Sequence, residues 1–241
     1  MISTTSVLIL GMHRSGTSVL AGSLQQHGLY LHKVHEWNPF NKKGNRENAE
    51  IMALNDCVLS FNEAAWDHPP KSIKWAKEHI ESRSRILEQF LQSGHRVWGF
   101  KDPRTLFTLK FWMEGLAGTT VKFAGSFRHP LPVARSLESR NKMPIEEGLI
   151  LWEQYNSRLL DIQKKTGFPI VSFDVCFDEY QQSIKRVVSD LDIRYDSKVK
   201  ELFLDDSLRH QFIDNAINLP HSMIELYNEL TCIYREQSRS K

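Results

Sequence analysis

The feature that most constrains this chain is an apolar segment that runs into a glycine-rich turn and then into a helical pattern, VLILGMHRSGTSVLAGSL at residues 7–24. Gly11 and Gly16 have the spacing of a phosphate-binding loop of the type GxxxxGK(S/T), and Ser18 occupies the hydroxyl position. The lysine position holds Thr17. The pattern therefore predicts a strand, an anion-binding loop and a helix in succession, without the lysine that contacts a nucleoside triphosphate.

Short apolar segments alternate with helical patterns along the rest of the chain. The strand candidates are SVLIL, GLYL, RVWGF, TVKFAGSF and PIVSF. Amphipathic stretches lie between them, and a last helical stretch, SMIELYNELTCIYREQ, is near the C-terminus. This alternation predicts an α/β protein with a three-layer P-loop-like fold, in which helices flank a central parallel β-sheet.

Length and composition narrow the class of protein. The 241 residues are 41% hydrophobic, which predicts a single domain over residues 1–241 with a C-terminal helical extension from about residue 197. The 31 basic and 29 acidic residues give no case for a nucleic-acid partner. The three cysteines lack CxxC spacing, and no metal-ligand spacing appears, so we expect neither disulfides nor a metal. With no signal peptide and no apolar run of membrane-spanning length, we expect a soluble cytoplasmic protein. The oligomeric state stays open.

Three predicted strands end in residues that can carry chemistry. The first runs into the loop at residues 11–16, the second into Lys101-Asp102-Pro103-Arg104, and the third into Arg128-His129-Pro130. Ligands of open parallel sheets bind beyond the carboxyl ends of the strands, so we expect one cleft to collect all three groups.

The loop is predicted to bind an anion through backbone N–H groups at the start of a helix. Without the lysine, the ligand is expected to lack a γ-phosphate, and Arg14 is expected to supply a cation from inside the loop. The candidate ligand-binding residues of this segment are His13, Arg14, Ser15, Gly16, Thr17 and Ser18.

Three segments resemble a known family. HRSGTS, FRHPLPVARS and NPFNKKGNRENAEIMALND are similar to segments of the sulfotransferases that use 3'-phosphoadenosine 5'-phosphosulfate (PAPS), and the resemblance spans roughly residues 5–190. It implies that the loop holds the 5'-phosphosulfate, and that Arg128 and Ser136 hold the 3'-phosphate. Arg14 stands where cytosolic eukaryotic members carry a lysine, so the match is closer to bacterial and carbohydrate-type members. The implied acceptor is a hydroxyl group on a carbohydrate or another small metabolite.

Lys101, Glu47 and Arg14 are the candidate catalytic residues. A lysine at the end of a strand can neutralise charge on the leaving oxygen, and Lys101-Asp102-Pro103 is similar to the Lys-x-Pro motif of glycan sulfotransferases. The alternative is a lysine whose amine reaches solvent. Glu47 is the candidate general base, on the side of the transferred group opposite Lys101, with His35 as its rival. Helix-dipole stabilisation alone would also place a glutamate at a helix start.

Aromatic residues in the long loop before Glu47 suggest an acceptor platform. Trp37 and Phe40 suit a sugar or an apolar acceptor, although they could equally anchor the loop. Arg104 would either bind an acidic acceptor or pair with Asp102.

Two other function classes remain open. In a small-molecule kinase, Arg14 would replace the P-loop lysine and Asp174, after VSF, would serve as the Mg²⁺-binding aspartate. A non-catalytic nucleotide-binding protein would use the same cleft for regulation.

Overall fold

A computed structural model describes residues 4–37, 44–197, 199, 203 and 218–239. Strands and helices alternate along these residues. In chain order they are β1 (Thr5–Leu10), α1 (Thr17–Gln26), α2 (Ala49–Ser60), α3 (Lys77–Gln92), β2 (Val97–Lys101), α4 (Thr105–Gly115), β3 (Thr120–Phe127), α5 (Pro130–Asn141), α6 (Ile145–Thr166), β4 (Ile170–Ser172), α7 (Phe177–Asp190) and α8 (His221–Arg239).

The strands form one sheet in the order β2-β1-β3-β4, and every neighbouring pair is parallel. Strand β1 lies inside the sheet, with Leu8 opposite Phe100 of β2 and Phe123 of β3. Because all strands run the same way, their carboxyl ends meet at one edge. The predicted α/β fold with a parallel sheet and flanking helices is confirmed.

Alternate residues of β1 pack on opposite faces of the sheet, as the two-residue period of a strand requires. Leu8 and Leu10 join a buried cluster with α2 to α6 and α8, whereas Val7 and Ile9 join another with α1 and α7. The sheet is therefore the middle of three layers. A strand that is apolar on both faces reads as a continuous hydrophobic run, which explains the VLIL segment.

Two predicted strands are shorter than their apolar segments. GLYL contributes one parallel bridge, between Tyr30 and Trp98 at the edge of β2, because His32 turns the backbone away with a left-handed φ of 58°. In PIVSF, strand pairing covers only the three residues of β4.

The C-terminal helix packs into the main core. Met223, Leu226, Leu230 and Tyr234 of α8 are buried in the same cluster as residues of α6. The single-domain assignment of residues 1–241 stays a prediction. Among the helices that the structure describes, none is both long enough and apolar enough to cross a membrane.

Candidate active site

The loop between β1 and α1 has a backbone that requires glycine at two positions. Gly11 has a φ of 144°, and a Cβ there would lie 2.3 Å from the carbonyl oxygen of Ser126. Gly16 has a φ of 81°, and a Cβ there would lie 2.4 Å from the ring of Phe173. The spacing of Gly11 and Gly16 therefore reflects contacts with the neighbouring strand and with the segment after β4, as well as tight turning.

Helix α1 begins at Thr17, directly after this loop, and presents an uncapped N-terminus to the cleft. Gly16 is its N-cap and gives no side-chain hydrogen bond, and its first turn contains no acidic residue. Ser126 Oγ on β3 supports the loop from below by donating 2.5 Å to the carbonyl oxygen of Ser15. A helix start whose first backbone N–H groups have no side-chain cap is suited to an anion.

Arg14 points from the loop toward α5. Its Nε donates a hydrogen bond of 2.7 Å to Ser136 Oγ, and within the part of the chain that the structure describes it has no carboxylate partner. Burial, followed by the nearby charges of Arg140 and Arg128, lowers the pKa of Arg14 to about 10. Positive charge thus accumulates around Ser136, which is what a site for a multiply charged anion needs.

Arg128 lies at the carboxyl end of β3, on the other side of this positive region. It is buried, its Nε is 3.7 Å from Asp174 Oδ1, and its guanidinium lies over the ring of Phe173. Asp174 Oδ2 also accepts hydrogen bonds from the N–H of His129 at 2.7 Å and from the Tyr227 hydroxyl at 3.1 Å. Asp174 therefore holds the chain after β3 in place and partly balances the charge of Arg128.

Lys101 and Glu47 form a buried ion pair. Lys101 Nζ lies 2.5 Å from Glu47 Oε1, and it also donates to the carbonyl oxygen of Asn45 at 3.1 Å and to Ser18 Oγ at 3.4 Å. Lys101 is only 3% exposed, so its amine does not reach solvent. The sequence predicts Lys101 and Glu47 on opposite sides of a transferred group; the structure instead places them in direct contact beside the loop.

Backbone pairing explains why Glu47 reaches the strand ends. The N–H of His35 donates to the carbonyl oxygen of Glu47 at 3.0 Å, and the N–H of Arg46 donates to that of His35 at 3.2 Å. Asn48 caps α2, and Glu50 is the acidic residue of its first turn. Glu47 precedes the helix, so stabilisation of the first turn does not account for its position. The side chain of its rival, His35, is exposed.

Arg104 is engaged with two carboxylates. Its Nη1 lies 3.1 and 3.0 Å from the two carboxylate oxygens of Asp102, and its Nε is 2.6 Å from Asp56 Oδ1. Of the two alternatives from the sequence, the structure shows the pairing with Asp102. Burial raises the pKa of Asp102 to about 6, although the charge of Arg104 opposes that shift.

His13 lies on the side of the loop that faces β2 and α6. Its ring centroid is 5.0 Å from that of Trp66 and 5.8 Å from that of Tyr155. Its Nε2 is buried and has no hydrogen-bond partner in the described part of the chain. Burial, followed by the charges of Arg104 and Lys101, holds the pKa of His13 well below its ordinary value, so the imidazole is neutral at neutral pH. A buried polar atom without a partner costs about 1–3 kcal/mol, a cost that a hydrogen bond with a ligand would offset.

The structure thus brings most predicted residues to one edge of the sheet, and it adds several that sequence patterns do not indicate. Trp66, Arg140 and Tyr155 lie near the site but belong to segments with no motif of their own, and Asn45 lies in a segment with a family resemblance that does not single it out. Trp37 is 66% exposed, and Phe40 lies outside the described residues. Among the residues described, no group of three or more His, Cys, Asp or Glu side chains is placed to hold a metal ion.

Solved structures share this architecture. A sulfotransferase domain from the Synechococcus PCC 7002 olefin synthase superposes with a TM-score of 0.59 at 16% identity, covering 95% of each chain. A sulfotransferase domain from the curacin biosynthetic pathway gives 0.62 at 14% identity, covering 95% of this chain and 98% of the other. Sulfotransferase STF9 from Mycobacterium avium gives 0.51 at 13% identity, covering 97% and 76%.

These three likenesses show that the chain has the fold of sulfotransferase domains, as the sequence motifs predict. No protein-family model matches the sequence, and a sequence comparison with curated proteins finds no match.

Proposed function

We propose that this protein is an enzyme, a PAPS-dependent sulfotransferase that transfers a sulfuryl group to an acceptor hydroxyl. The observation that carries the proposal is the environment of Arg14, a guanidinium bonded to Ser136 and flanked by Arg128 and Arg140, with no carboxylate partner in the described part of the chain. A second anion site next to an anion-binding loop fits a nucleotide with phosphate at two ends. The sulfotransferase fold supports the same assignment.

The residues present fit this co-substrate. The backbone N–H groups of residues 13–18 and the N-terminus of α1 would hold the 5'-phosphosulfate. Arg128, Ser136 and Arg14 would hold the 3'-phosphate. Bound there, the nucleotide supplies an activated sulfuryl group. Because the side chain of Arg14 is bonded to Ser136, we assign it to nucleotide binding first, and its catalytic contribution acts through that binding.

Lys101 is proposed to stabilise the negative charge that develops on the leaving oxygen. Its ammonium donates three hydrogen bonds. The bond to Ser18 Oγ, at 3.4 Å, is the longest of the three and therefore the easiest to exchange for one to a ligand oxygen. The bond to Glu47 can persist while that exchange occurs. Lys101 is therefore held rigidly beside the loop, where a positive charge is needed in the transition state.

Glu47 is proposed to take the proton from the acceptor hydroxyl. It is buried beside Lys101, and its second oxygen, Oε2, accepts from Asn45 Nδ2 at 2.7 Å, which fixes the direction of the carboxylate. The exposed side chain of His35 is less constrained, so among the two candidates from the sequence the geometry favours Glu47. A positioned base contributes about 10²–10⁴-fold to a reaction of this kind.

The acceptor is proposed to be a carbohydrate or another small metabolite, and the cellular location to be the cytoplasm. Asp174, the aspartate on which the kinase alternative depends, is committed to the N–H of His129, the hydroxyl of Tyr227 and Arg128. The kinase is therefore the weaker hypothesis.

A thermal-shift experiment tests the proposal. Adenosine 3',5'-bisphosphate in EDTA should stabilise the protein, by about 2.7 kcal/mol at 100 times its dissociation constant, whereas ATP with Mg²⁺ should not. Stabilisation by ATP with Mg²⁺ alone would favour the kinase. Stabilisation by the bisphosphate without transfer to any of a panel of hydroxyl acceptors would favour the non-catalytic protein.

A further inference from the structure

Three aromatic rings pack together beside the loop. His13, Trp66 and Tyr155, called the aromatic wall below, come from the loop, the α2–α3 connection and α6. The Tyr155 hydroxyl donates to the carbonyl oxygen of Trp66 at 2.7 Å, which ties the last two together. Trp66 is half-buried, so part of its ring stays accessible to a ligand.

Among the described residues, the wall has one buried polar atom without a partner. His13 Nε2 is buried and has no hydrogen-bond partner among the described residues, while the Tyr155 hydroxyl already donates to a carbonyl. The imidazole is neutral, for the reasons given above, and so it can exchange a hydrogen bond with an uncharged hydroxyl.

The two charged groups with the strongest electrostatic effect on His13, Arg104 and Lys101, already have carboxylate partners. Arg104 is paired with Asp102 and Asp56, and Lys101 is paired with Glu47. A charged acceptor that paired with Arg104 or Lys101 would have to displace one of these carboxylates, whereas a neutral acceptor would leave both pairs intact.

We propose that the aromatic wall is the acceptor subsite. The inference rests on the proposed sulfotransferase function and deepens it. His13 Nε2 hydrogen-bonds the acceptor hydroxyl, and the Trp66 ring packs against the carbon skeleton that carries it. The class of acceptor is a neutral, hydroxyl-bearing molecule with an apolar face, as sugars and phenols have. The acceptor platform then lies at Trp66 rather than at Trp37.

The test compares two probes that differ only in the group attached to C5 of the sugar, which is a hydroxymethyl group in 4-nitrophenyl β-D-glucopyranoside and a carboxylate in 4-nitrophenyl β-D-glucuronide. Binding is measured by calorimetry on the full chain saturated with adenosine 3',5'-bisphosphate. The neutral glucoside should bind more tightly than the glucuronide. His13→Phe, which keeps a ring but removes the nitrogens, should weaken glucoside binding roughly five- to tenfold, the value of one neutral hydrogen bond.

Further variants test whether the change in glucoside affinity is specific to residues of the aromatic wall. Trp66→Ala should weaken glucoside binding by about tenfold, while Trp66→Phe retains most of the affinity. His13→Gln should recover part of what His13→Phe loses, since its amide restores a hydrogen-bonding group. Phe61→Ala is the matched control, because Phe61 lies in the same connection and is 55% exposed. Bisphosphate affinity in each variant reports whether the loop is intact.

The outcomes distinguish the two proposals. If the unmodified protein fails to bind the bisphosphate, the proposed function falls, and the wall assignment falls with it. If bisphosphate binding is normal, three results overturn the wall alone: no glucoside binding, tighter binding of the glucuronide, or glucoside affinity unchanged by Trp66→Ala. A loss of affinity in Trp37→Ala with none in Trp66→Ala returns the platform to Trp37. If His13→Phe also disturbs bisphosphate binding, Trp66→Ala decides the result.

Discussion

Arg14 Nε donates a hydrogen bond of 2.7 Å to Ser136 Oγ, and this bond joins the loop after β1 to helix α5 across 122 residues of chain. Arg14, the cation inside the loop, therefore contacts the serine that the sequence assigns to a different phosphate. The two proposed anion sites share a residue, so in the proposed complex binding at one end of the nucleotide should be coupled to the geometry of the other.

Arg128→Ala should weaken binding of adenosine 3',5'-bisphosphate far more than binding of adenosine 5'-phosphate. Charged hydrogen bonds of this kind are worth about 1.5–3 kcal/mol, which corresponds to roughly 10- to 150-fold in affinity. Titration calorimetry with both nucleotides measures the difference, and Arg85→Ala, an exposed arginine on α3, is the control. Equal weakening of both nucleotides would remove Arg128 from the 3'-phosphate site.

Replacing one member of the buried Lys101–Glu47 pair should destabilise the protein more than replacing both. Lys101→Met leaves Glu47 buried without its counter-ion, a change that typically costs about 3–5 kcal/mol. In the double variant Lys101→Met/Glu47→Leu no buried charge is left unpaired, so part of that loss should return. Urea unfolding of the parent, the two single variants and the double variant gives the four free energies of unfolding of a double-mutant cycle. Simple addition of the two single effects would show that the ion pair has no energetic coupling.

Glu47→Gln and Lys101→Ala should respond differently to the acidity of the acceptor. Both should lower kcat with an ordinary alcohol, by about 10²–10⁴-fold. A substituted phenol, being more acidic, depends less on a base and should regain activity with Glu47→Gln but not with Lys101→Ala. Rates of sulfated-product formation over a series of phenols measure this. If Glu47→Gln keeps a near-normal kcat while His35→Ala loses it, the general base is His35.

Activity should be independent of divalent metal ions. A sulfuryl group carries less negative charge than a phosphoryl group, and the loop N–H groups with Lys101 supply the donors that it needs. Initial rates in excess EDTA should match those with added Mg²⁺. Loss of turnover in EDTA that Mg²⁺ restores would contradict this expectation.

Asp102→Asn should change how stability depends on pH. Burial raises the pKa of Asp102 to about 6 from its ordinary 3.8. The folded state therefore holds this proton more tightly than the unfolded state, and the contribution of Asp102 to stability falls as pH rises from about 4 to 6. Asparagine does not titrate, so the free energy of unfolding of the parent minus that of the variant should decline across this window by on the order of 2 kcal/mol.

Urea titrations of both proteins at several pH values measure that decline. Asp161→Asn, at an exposed position of α6, controls for the change of net charge. A parent-minus-variant difference that is constant between pH 4 and 7 would show that Asp102 titrates normally.

The sequence predicts the parts of the fold that depend on local pattern. The apolar run of β1, the glycine spacing after it and the return of strand patterns after each helix are enough to indicate the parallel sheet. The same reasoning brings Lys101 and Arg128 to one edge, because parallel strands end together. It overestimates the length of the strand at GLYL, because the left-handed backbone of His32 ends the pairing after Tyr30 and no residue preference predicts that turn.

Contacts that depend on tertiary packing are beyond local pattern. Arg14 reaches Ser136 from a left-handed φ of 64°, a conformation that arginine seldom adopts and its sequence context does not indicate. Trp66 and Tyr155 meet His13 because the α2–α3 connection and α6 cover the same end of the sheet. Lys101 and Glu47 meet because backbone pairing with His35 folds the preceding loop inward.

The contact between Gly16 and the ring of Phe173 bears on protein engineering. Phe173 follows β4, whereas Gly16 precedes α1. The conformation of the loop therefore depends on a side chain next to the edge strand β4, which β3 separates from β1. A strand–loop–helix unit transplanted alone into another scaffold would lose the contact with Phe173. It would also lose the hydrogen bond from Ser126 to the carbonyl oxygen of Ser15. Any graft of this proposed anion site must therefore include pieces of three strands. Chimeras with crossover points between α1 and β4 should be designed so that Gly16 and Phe173 come from the same parent.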